Sequence, residues 1–210
     1  MKRLRRVKKN LNFFLKRGAT RGYGALEYVL ALQRAKLANK FITDGHRTGK
    51  ILDIGCGSYP IFLLTSKFVE KFGIEKIIHS NHNVRKRVKL INHDIEKGDN
   101  LPFADNSIST ITMLAVFEHI SLYSVPNILS EIYRILKPKG ICIITIPATW
   151  SEVILKIMSN IRLISKIELD EHKSTLSTAK ILSLLQKAKF INIKSGYFEF
   201  FMNRWFVVKK

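Results

Sequence analysis

The ten residues Ile51-Leu52-Asp53-Ile54-Gly55-Cys56-Gly57-Ser58-Tyr59-Pro60 constrain this chain more than any other stretch. A short apolar run reads as a buried strand with Asp53 near its C-terminal end. Two glycines follow at once, and a helical pattern starts near Pro60. Strand, glycine turn and helix place a small ligand at the C-terminal edge of a parallel sheet, where backbone without Cβ atoms can approach it closely. A dinucleotide fingerprint would put a third Gly or Ala at the opening of the helix. Pro60 stands there instead, and a pyrophosphate would meet the Asp53 carboxylate. An acid at this place suits a ligand that carries positive charge. Taken alone, the residues also allow an ordinary strand and turn that bind nothing.

The segments that follow repeat a strand-and-helix rhythm. Ile61 to about Lys67 reads as a short helix, and Phe68–Ile74 as a second strand followed by Glu75. A carboxylate about 20 residues past such glycines can accept hydrogen bonds from ribose hydroxyls, which makes Glu75 the candidate. The rival cluster His79-Ser80-Asn81-His82 lies too far along for one such unit, and a plain surface glutamate is the other alternative. Val88–Asn92 reads as a third strand, and the run from Ile108 to Ala115 as a fourth. Val125–Leu136 carries an apolar stripe at helical spacing, with Lys137-Pro138-Lys139-Gly140 expected to stop it. Ile141–Ile146 is a continuous apolar run, as expected of a strand covered on both faces. Phe190–Lys194 and Arg204–Val208 are rich in β-formers and are expected to pair as a hairpin, with Tyr197–Phe201 between them. No internal repeat breaks the pattern.

The first motif, Asp53-x-Gly55-Cys56-Gly57, resembles that of class I S-adenosylmethionine-dependent methyltransferases. The resemblance strengthens through Asn100-Leu-Pro-Phe-Ala-Asp-Asn-Ser107, Ile108–His119, and the order helix, Lys-Pro-x-Gly, strand. The family often carries Phe-Asp where this chain has Ile108-Ser109. The resemblance implies an α/β fold: a Rossmann-like, mostly parallel seven-stranded sheet with helices on both faces and a C-terminal antiparallel hairpin. It also implies S-adenosyl-L-methionine as cofactor, a ligand with a sulfonium and an ammonium and no phosphate. Asp53, Gly55, Cys56, Gly57 and Glu75 would then hold the cofactor, Asp94 and the Ile95 N–H would meet the adenine, and Leu114 and Ala115 would border the methionine part. No metal is expected. The Ser58-Tyr59-Pro60 variant and the Phe-rich C-terminal end are similar to bacterial methyltransferases of sugar and surface-glycan pathways.

Methyl transfer requires acceptor, methyl and sulfur to be held in line away from water. A hydroxyl acceptor also gains from a base of near-neutral pKa. His119 and His172 are candidates, with Glu118 as orienter, although a histidine in such a place is as readily structural. An apolar pattern over residues 151–167 would suit a cover for a lipid-linked acceptor, or simply a helix packed on the core.

Charge bears on the partner. Thirty-six Lys and Arg face 16 Asp and Glu, for a net charge of +20. Such a balance suggests an anionic partner. Residues 1–26 hold nine basic residues and no acid, with Leu4, Val7, Leu11 and Phe14 at helical spacing among them. A basic arm over residues 1–23 is expected to precede a methyltransferase domain over 24–210. Residues 1–17 read as an anchor on an anionic membrane, as a nucleic-acid arm, or as a solvated tail. The helical stripe at 24–41 is expected to pack over the cofactor mouth or on the core. Nucleic acid is the weaker partner, because no RNA-binding module or Asn/Asp-Pro-Pro-aromatic motif is present. Two unpaired-looking cysteines, no apolar run of membrane-spanning length and no secretory h-region lead to an expected cytoplasmic location, peripheral at the inner membrane face. Three functions stay open: methyl transfer to a small-molecule or glycan-precursor acceptor, RNA methylation, and a non-catalytic binding module.

Overall fold

A computed structural model of the chain describes residues 27–78, 82–151 and 176–210. The basic arm, most of the stretch read as an apolar cover, His172, and three residues of the His79–His82 cluster lie outside the described residues.

Seven strands form one sheet in the order β3-β2-β1-β4-β5-β7-β6. Their ranges are β1 Lys50–Ile54, β2 Glu70–Glu75, β3 Lys89–Asn92, β4 Ile108–Leu114, β5 Leu136–Pro147, β6 Ile191–Phe198 and β7 Asn203–Lys209. The first five run parallel, β7 is antiparallel to β5, and β6 pairs antiparallel to β7. The expected Rossmann-like sheet with a terminal hairpin is the observed one.

Helices cover both faces, and the strands alternate between two cores, as a period of two demands. Leu52, Ile54, Cys142, Ile144 and Phe206 point into one, beside Ile128, Leu129 and Ile132 of α5 (Val125–Ile135) and Ile181 and Leu185 of α6 (Thr178–Lys187). Ile51, Ile141, Ile143 and Val207 point into the other, beside Ala35 and Ala38 of α1 (Glu27–Phe41) and Ile61–Leu63 of α3 (Ile61–Thr65). Two single turns, α2 (Asp44–Arg47) and α4 (His82–Arg85), complete the helices described. Arg47 donates to the carbonyls of Asn39 and Ile42, which fixes the turn between α1 and β1.

Most boundaries shift by one or two residues from the sequence reading, and three of the differences matter for the fold. β2 starts at Glu70 rather than Phe68, and it contains Glu75 instead of preceding it. Lys137-Pro138-Lys139-Gly140 is no separate loop: α5 ends at Ile135 and β5 begins at the next residue. Between the pairs Ile108↔Leu136 and Thr110↔Ile141 the partner strand advances two residues while β5 advances five. The excess bulges outward, with Lys139 at φ 65° and its N–H on the Lys210 carbonyl. Tyr197 and Phe198 belong to β6, so the hairpin turn is shorter than the sequence suggested.

Behind β4, the stretch from Leu101 to Asp105 is tied to α5 by two side chains, Arg134 and Glu131, whose Oε2 accepts the Leu101 N–H at 2.8 Å. Arg134 donates to both Glu131 oxygens, to Asp105, and to the carbonyls of Leu101 and Phe103. The arginine beside it holds the Glu131 carboxyl below its ordinary pKa.

Candidate active site at the C-terminal edge of the sheet

The end of β1 turns on two glycines in the left-handed region, Gly55 at φ 68° and Gly57 at φ 69°. A Cβ on Gly55 would stand 2.4 Å from Val116 Cγ2, so this position is closed to side chains twice over. The N–H groups of Gly55 and Cys56 both donate to the Ile74 carbonyl, at 2.9 and 3.1 Å, which joins the turn to the end of β2.

Glu75 completes the turn from the other side. Its Oε2 accepts the Gly57 N–H at 2.9 Å and its Oε1 accepts the Lys76 N–H at 3.0 Å. It is only 5% exposed. The residue expected at a ribose therefore also organises the glycine backbone, and the spacing in the sequence could not reveal that second task.

Asp53 lies deeper, 4% exposed, and accepts the Thr112 hydroxyl at 2.6 Å. Burial pushes its pKa up to about 7, against the pull of the Thr112 hydrogen bond, and the Glu75 carboxylate adds to the rise. A cation brought to this edge would be welcomed by both acids. Cys56 is buried with its Sγ against the Gly73 backbone, and burial together with the two carboxylates raises its thiol pKa. It packs the turn and is no nucleophile.

At the end of β3, the His93 N–H donates to the Glu75 carbonyl at 3.1 Å. Asp94 meets Lys76 Nζ at 2.9 Å and accepts the Glu96 N–H at 3.1 Å. The Lys76 hydrogen bond holds its carboxyl below the ordinary range, so it stays an acceptor. Ile95 rests against the core. His93 Nε2 is buried with no hydrogen-bond partner. A buried ring nitrogen without a partner asks for a polar ligand atom, and it sits beside the acid expected at an adenine.

Leu114 ends β4 and Ala115 follows at φ 57°. A left-handed conformation at a residue with a Cβ costs about 1–2 kcal/mol and persists only where neighbours enforce it. Thr145 does so, since its carbonyl and its Oγ1 both accept the Ala115 N–H, at 3.0 and 3.1 Å. Glu118 and His119 lie in the 3-10 turn Phe117–His119 just beyond. Glu118 is buried and acts electrostatically on Arg204 of β7, whose pKa burial lowers while Tyr197 and Glu118 raise it. Glu118 thus acts on a residue of the last strand that no local pattern pairs with it. The leading helix does approach the mouth: Tyr28 of α1 lies near Tyr59, which follows the glycine turn, and burial and Tyr59 raise its phenol pKa.

Asp53, Gly55, Cys56, Gly57, Glu75, Asp94, Ile95, Leu114, Ala115, Glu118 and His119 therefore gather at one sheet edge. Thr112, Thr145, His93 and Arg204 were missed. A threonine in an apolar strand is a faint hint for the first two. Among the described residues there is no cluster of His, Cys, Asp and Glu able to hold a metal, and no helix is long and apolar enough to cross a membrane.

Comparison with known proteins points the same way. Residues 52–144 match a family described as "Methyltransferase domain". A demethylmenaquinone methyltransferase of Symbiobacterium thermophilum is 32% identical over 131 residues, covering 56% of this chain and 51% of that protein. The chain thus spans about half the length of the curated relative it matches. Among solved structures, a Thermotoga maritima S-adenosylmethionine-dependent methyltransferase, described as a possible histamine N-methyltransferase, superposes with TM-score 0.68 at 21% identity, covering 98% of this chain and 96% of that one. One from Archaeoglobus fulgidus gives TM-score 0.64 at 18% identity, covering 94% and 99%. The fold is the Rossmann-like methyltransferase fold, and the cofactor that fold and family match imply is S-adenosylmethionine. The crevice fits it: two buried carboxylates for a cationic ligand, and a buried ring nitrogen of His93 awaiting a partner.

Proposed function

We propose that this chain transfers the methyl group of S-adenosylmethionine to a hydroxyl of a small molecule, a glycan precursor carried at the anionic inner face of a membrane. The observation that carries the cofactor half of this reading is the pair Asp53 and Glu75 behind the left-handed glycine turn. The described groups that act on Asp53 are the Thr112 hydroxyl and the Glu75 carboxylate, an environment that favours a cation there.

The bound cofactor supplies the activated methyl group. The chain supplies the rest. Glu75 accepts ribose hydroxyls at its carboxylate oxygens. Asp53 gives up its proton as positive charge arrives. Ala115, without a bulky side chain, leaves room beside the methionine part. His119 takes the proton from the acceptor oxygen at a ring nitrogen as the oxygen–methyl bond forms, and Glu118 orients that edge from beside Arg204. The printed name of the 32%-identical relative, a demethylmenaquinone methyltransferase, supports a small-molecule acceptor. The net charge of +20 supports one presented on an anionic surface.

The cofactor reading is tested by calorimetry with S-adenosylhomocysteine on wild type, Glu75→Ala and Asp53→Ala. Unchanged affinity in both variants would end it. The acceptor reading is tested by transfer of labelled methyl to glycan-lipid, small-molecule and RNA fractions of cells lacking the gene. Label confined to RNA, with a binding constant that falls steeply with salt, would replace the acceptor.

A further inference from the structure

Among the described residues, ten large hydrophobic side chains are exposed, and they are not spread evenly. Scattered singly, such residues need no explanation, but gathered on one rim they mark a contact surface. Leu122 and Tyr123 lie between β4 and α5, Trp150 lies in the turn after β5, Tyr197 is the next-to-last residue of β6, and Phe200 and Phe201 form the turn into β7. Because β6 runs parallel to β5, all six stand at the same C-terminal sheet edge as the crevice, along its β4-β5-β7-β6 half. Of the other four, Val69, just before β2, and Ile191, the first residue of β6, lie at the opposite edge, Ile77 follows β2 on the other half of the C-terminal edge, and Val29 lies on α1.

The hairpin turn is built to hold its pair of aromatics outward. Glu199, Phe200 and Phe201 have φ of 51°, 54° and 65°, three successive left-handed residues without a glycine. Such strain is kept only where the surroundings enforce it. Here the Met202 N–H closes on the Glu199 carbonyl at 3.1 Å, and the Ala148 N–H donates to the Met202 carbonyl at 2.7 Å. Asn203 donates to the Glu199 carboxylate, which also feels Arg34 of α1. The polar atoms of the turn are thus stapled inward, while Phe200 is 93% exposed and Tyr123, across the rim, 94%.

We propose that this aromatic rim seats in the interfacial layer of an anionic bilayer and presses the acceptor side of the crevice against the membrane. Tyr, Trp and Phe are the side chains that gain most at the boundary between headgroups and acyl chains. An anionic lipid surface is the partner that complements a chain of net charge +20. The inference deepens the membrane-side acceptor reading and rests on it for its purpose, although the rim itself is read from exposure and topology.

The test uses the full chain and two kinds of vesicle, phosphatidylcholine with phosphatidylglycerol and phosphatidylcholine alone. Trp150 and Trp205 are the two tryptophans, and Trp205 packs against Phe41. A Trp205→Phe variant therefore makes Trp150 the reporter. The expected result is sedimentation with the anionic vesicles, a blue shift of Trp150 emission, and its quenching by brominated lipid. Phe200→Ser with Phe201→Ser should weaken vesicle binding about a hundredfold and leave the unfolding temperature and S-adenosylhomocysteine binding as in wild type. Vesicle binding without quenching of Trp150 would assign the membrane contact to the N-terminal basic residues and overturn the proposal. So would equal binding by the double variant, or loss in that variant of binding to RNA or a protein when no vesicle is bound. Failure of wild type to bind S-adenosylhomocysteine would strike the enzyme reading alone and leave the vesicle result standing.

Discussion

The two halves of the sheet edge are built on opposite plans. On the β3-β2-β1 side, polar atoms are aimed at one another through the backbone: Glu75 accepts from Gly57 and Lys76, Ile74 accepts from Gly55 and Cys56, and Asp94 holds Lys76. On the β4-β5-β7-β6 side, the polar groups turn inward. Arg204 donates to the Pro147 carbonyl and to Thr178, Glu199 accepts from Asn203, and the large apolar side chains left exposed are aromatic except Leu122. A pocket for one defined ligand gains from donors and acceptors set before it arrives. A surface that must meet a large or variable partner gains from area instead. The strain is distributed accordingly: the left-handed residues of the first half are glycines, and those of the second are Ala115, Glu199, Phe200 and Phe201.

The contrast can be broken most forcefully at Asp53. Its pKa of about 7 means that the folded chain keeps this proton to higher pH than the unfolded chain does. The stability it contributes is complete below the ordinary carboxylate value of about 4 and is lost as the pH climbs through about 7. Asp53→Asn should abolish that loss and stabilise the protein at pH 8 by up to about 4 kcal/mol, counting about 1.4 kcal/mol for each pH unit between the two values. Thermal melts of both proteins from pH 4 to 8 measure it. A cationic ligand selects the ionised carboxylate, so S-adenosylmethionine affinity should rise with pH over the same window in wild type and stay flat in Asp53→Asn.

Glu75→Ala is next. It removes acceptors for a ligand and also unpins the Gly57 and Lys76 N–H groups, at about 1.5–3 kcal/mol for each bond to a charged group. S-adenosylhomocysteine affinity should fall about a hundredfold by calorimetry. A loss of less than threefold would mean that the turn holds itself.

Arg134→Met sharpens the comparison as a change behind β4, away from either half. It leaves Glu131 without its ion pair and frees the Leu101 and Phe103 carbonyls. Chemical denaturation should show a loss of about 2–3 kcal/mol, with ligand affinity unchanged. The smallest expected effect is at Ala115. Ala115→Gly relieves left-handed strain of about 1–2 kcal/mol and returns part of it as unfolded-state entropy, for a net gain near 0.5 kcal/mol. Phe200→Gly should gain similarly while weakening vesicle binding, a trade that a purely structural turn would not show.

Much of the cofactor half was legible in the sequence because its information is local. Asp53, the two glycines and Glu75 fall within one strand-turn-helix-strand unit of 23 residues, and steric rules at glycine connect residue type to backbone directly. The β4-β5-β7-β6 half resisted because its contacts are long-range. Thr112 meets Asp53 across 59 positions, Thr145 holds Ala115 across 30, and Arg204 reaches Pro147 across 57. The bulge at Lys137–Gly140 was hidden for a related reason: Pro and Gly announce that a helix stops, but only the register between β4 and β5 decides whether a loop or a strand follows.

By itself, then, the order of amino acids determined the alternation of strands and helices, the parallel sheet and the edge at which Asp53, the glycine turn and Glu75 meet. Periodicity of burial and the conformational limits of glycine and proline act over a few residues and leave little choice. Tertiary structure alone decided the protonation of Asp53, the left-handed turn at Ala115 and the gathering of six apolar side chains on one rim. Each of these depends on desolvation or contact between strands far apart in the chain, which no local pattern encodes.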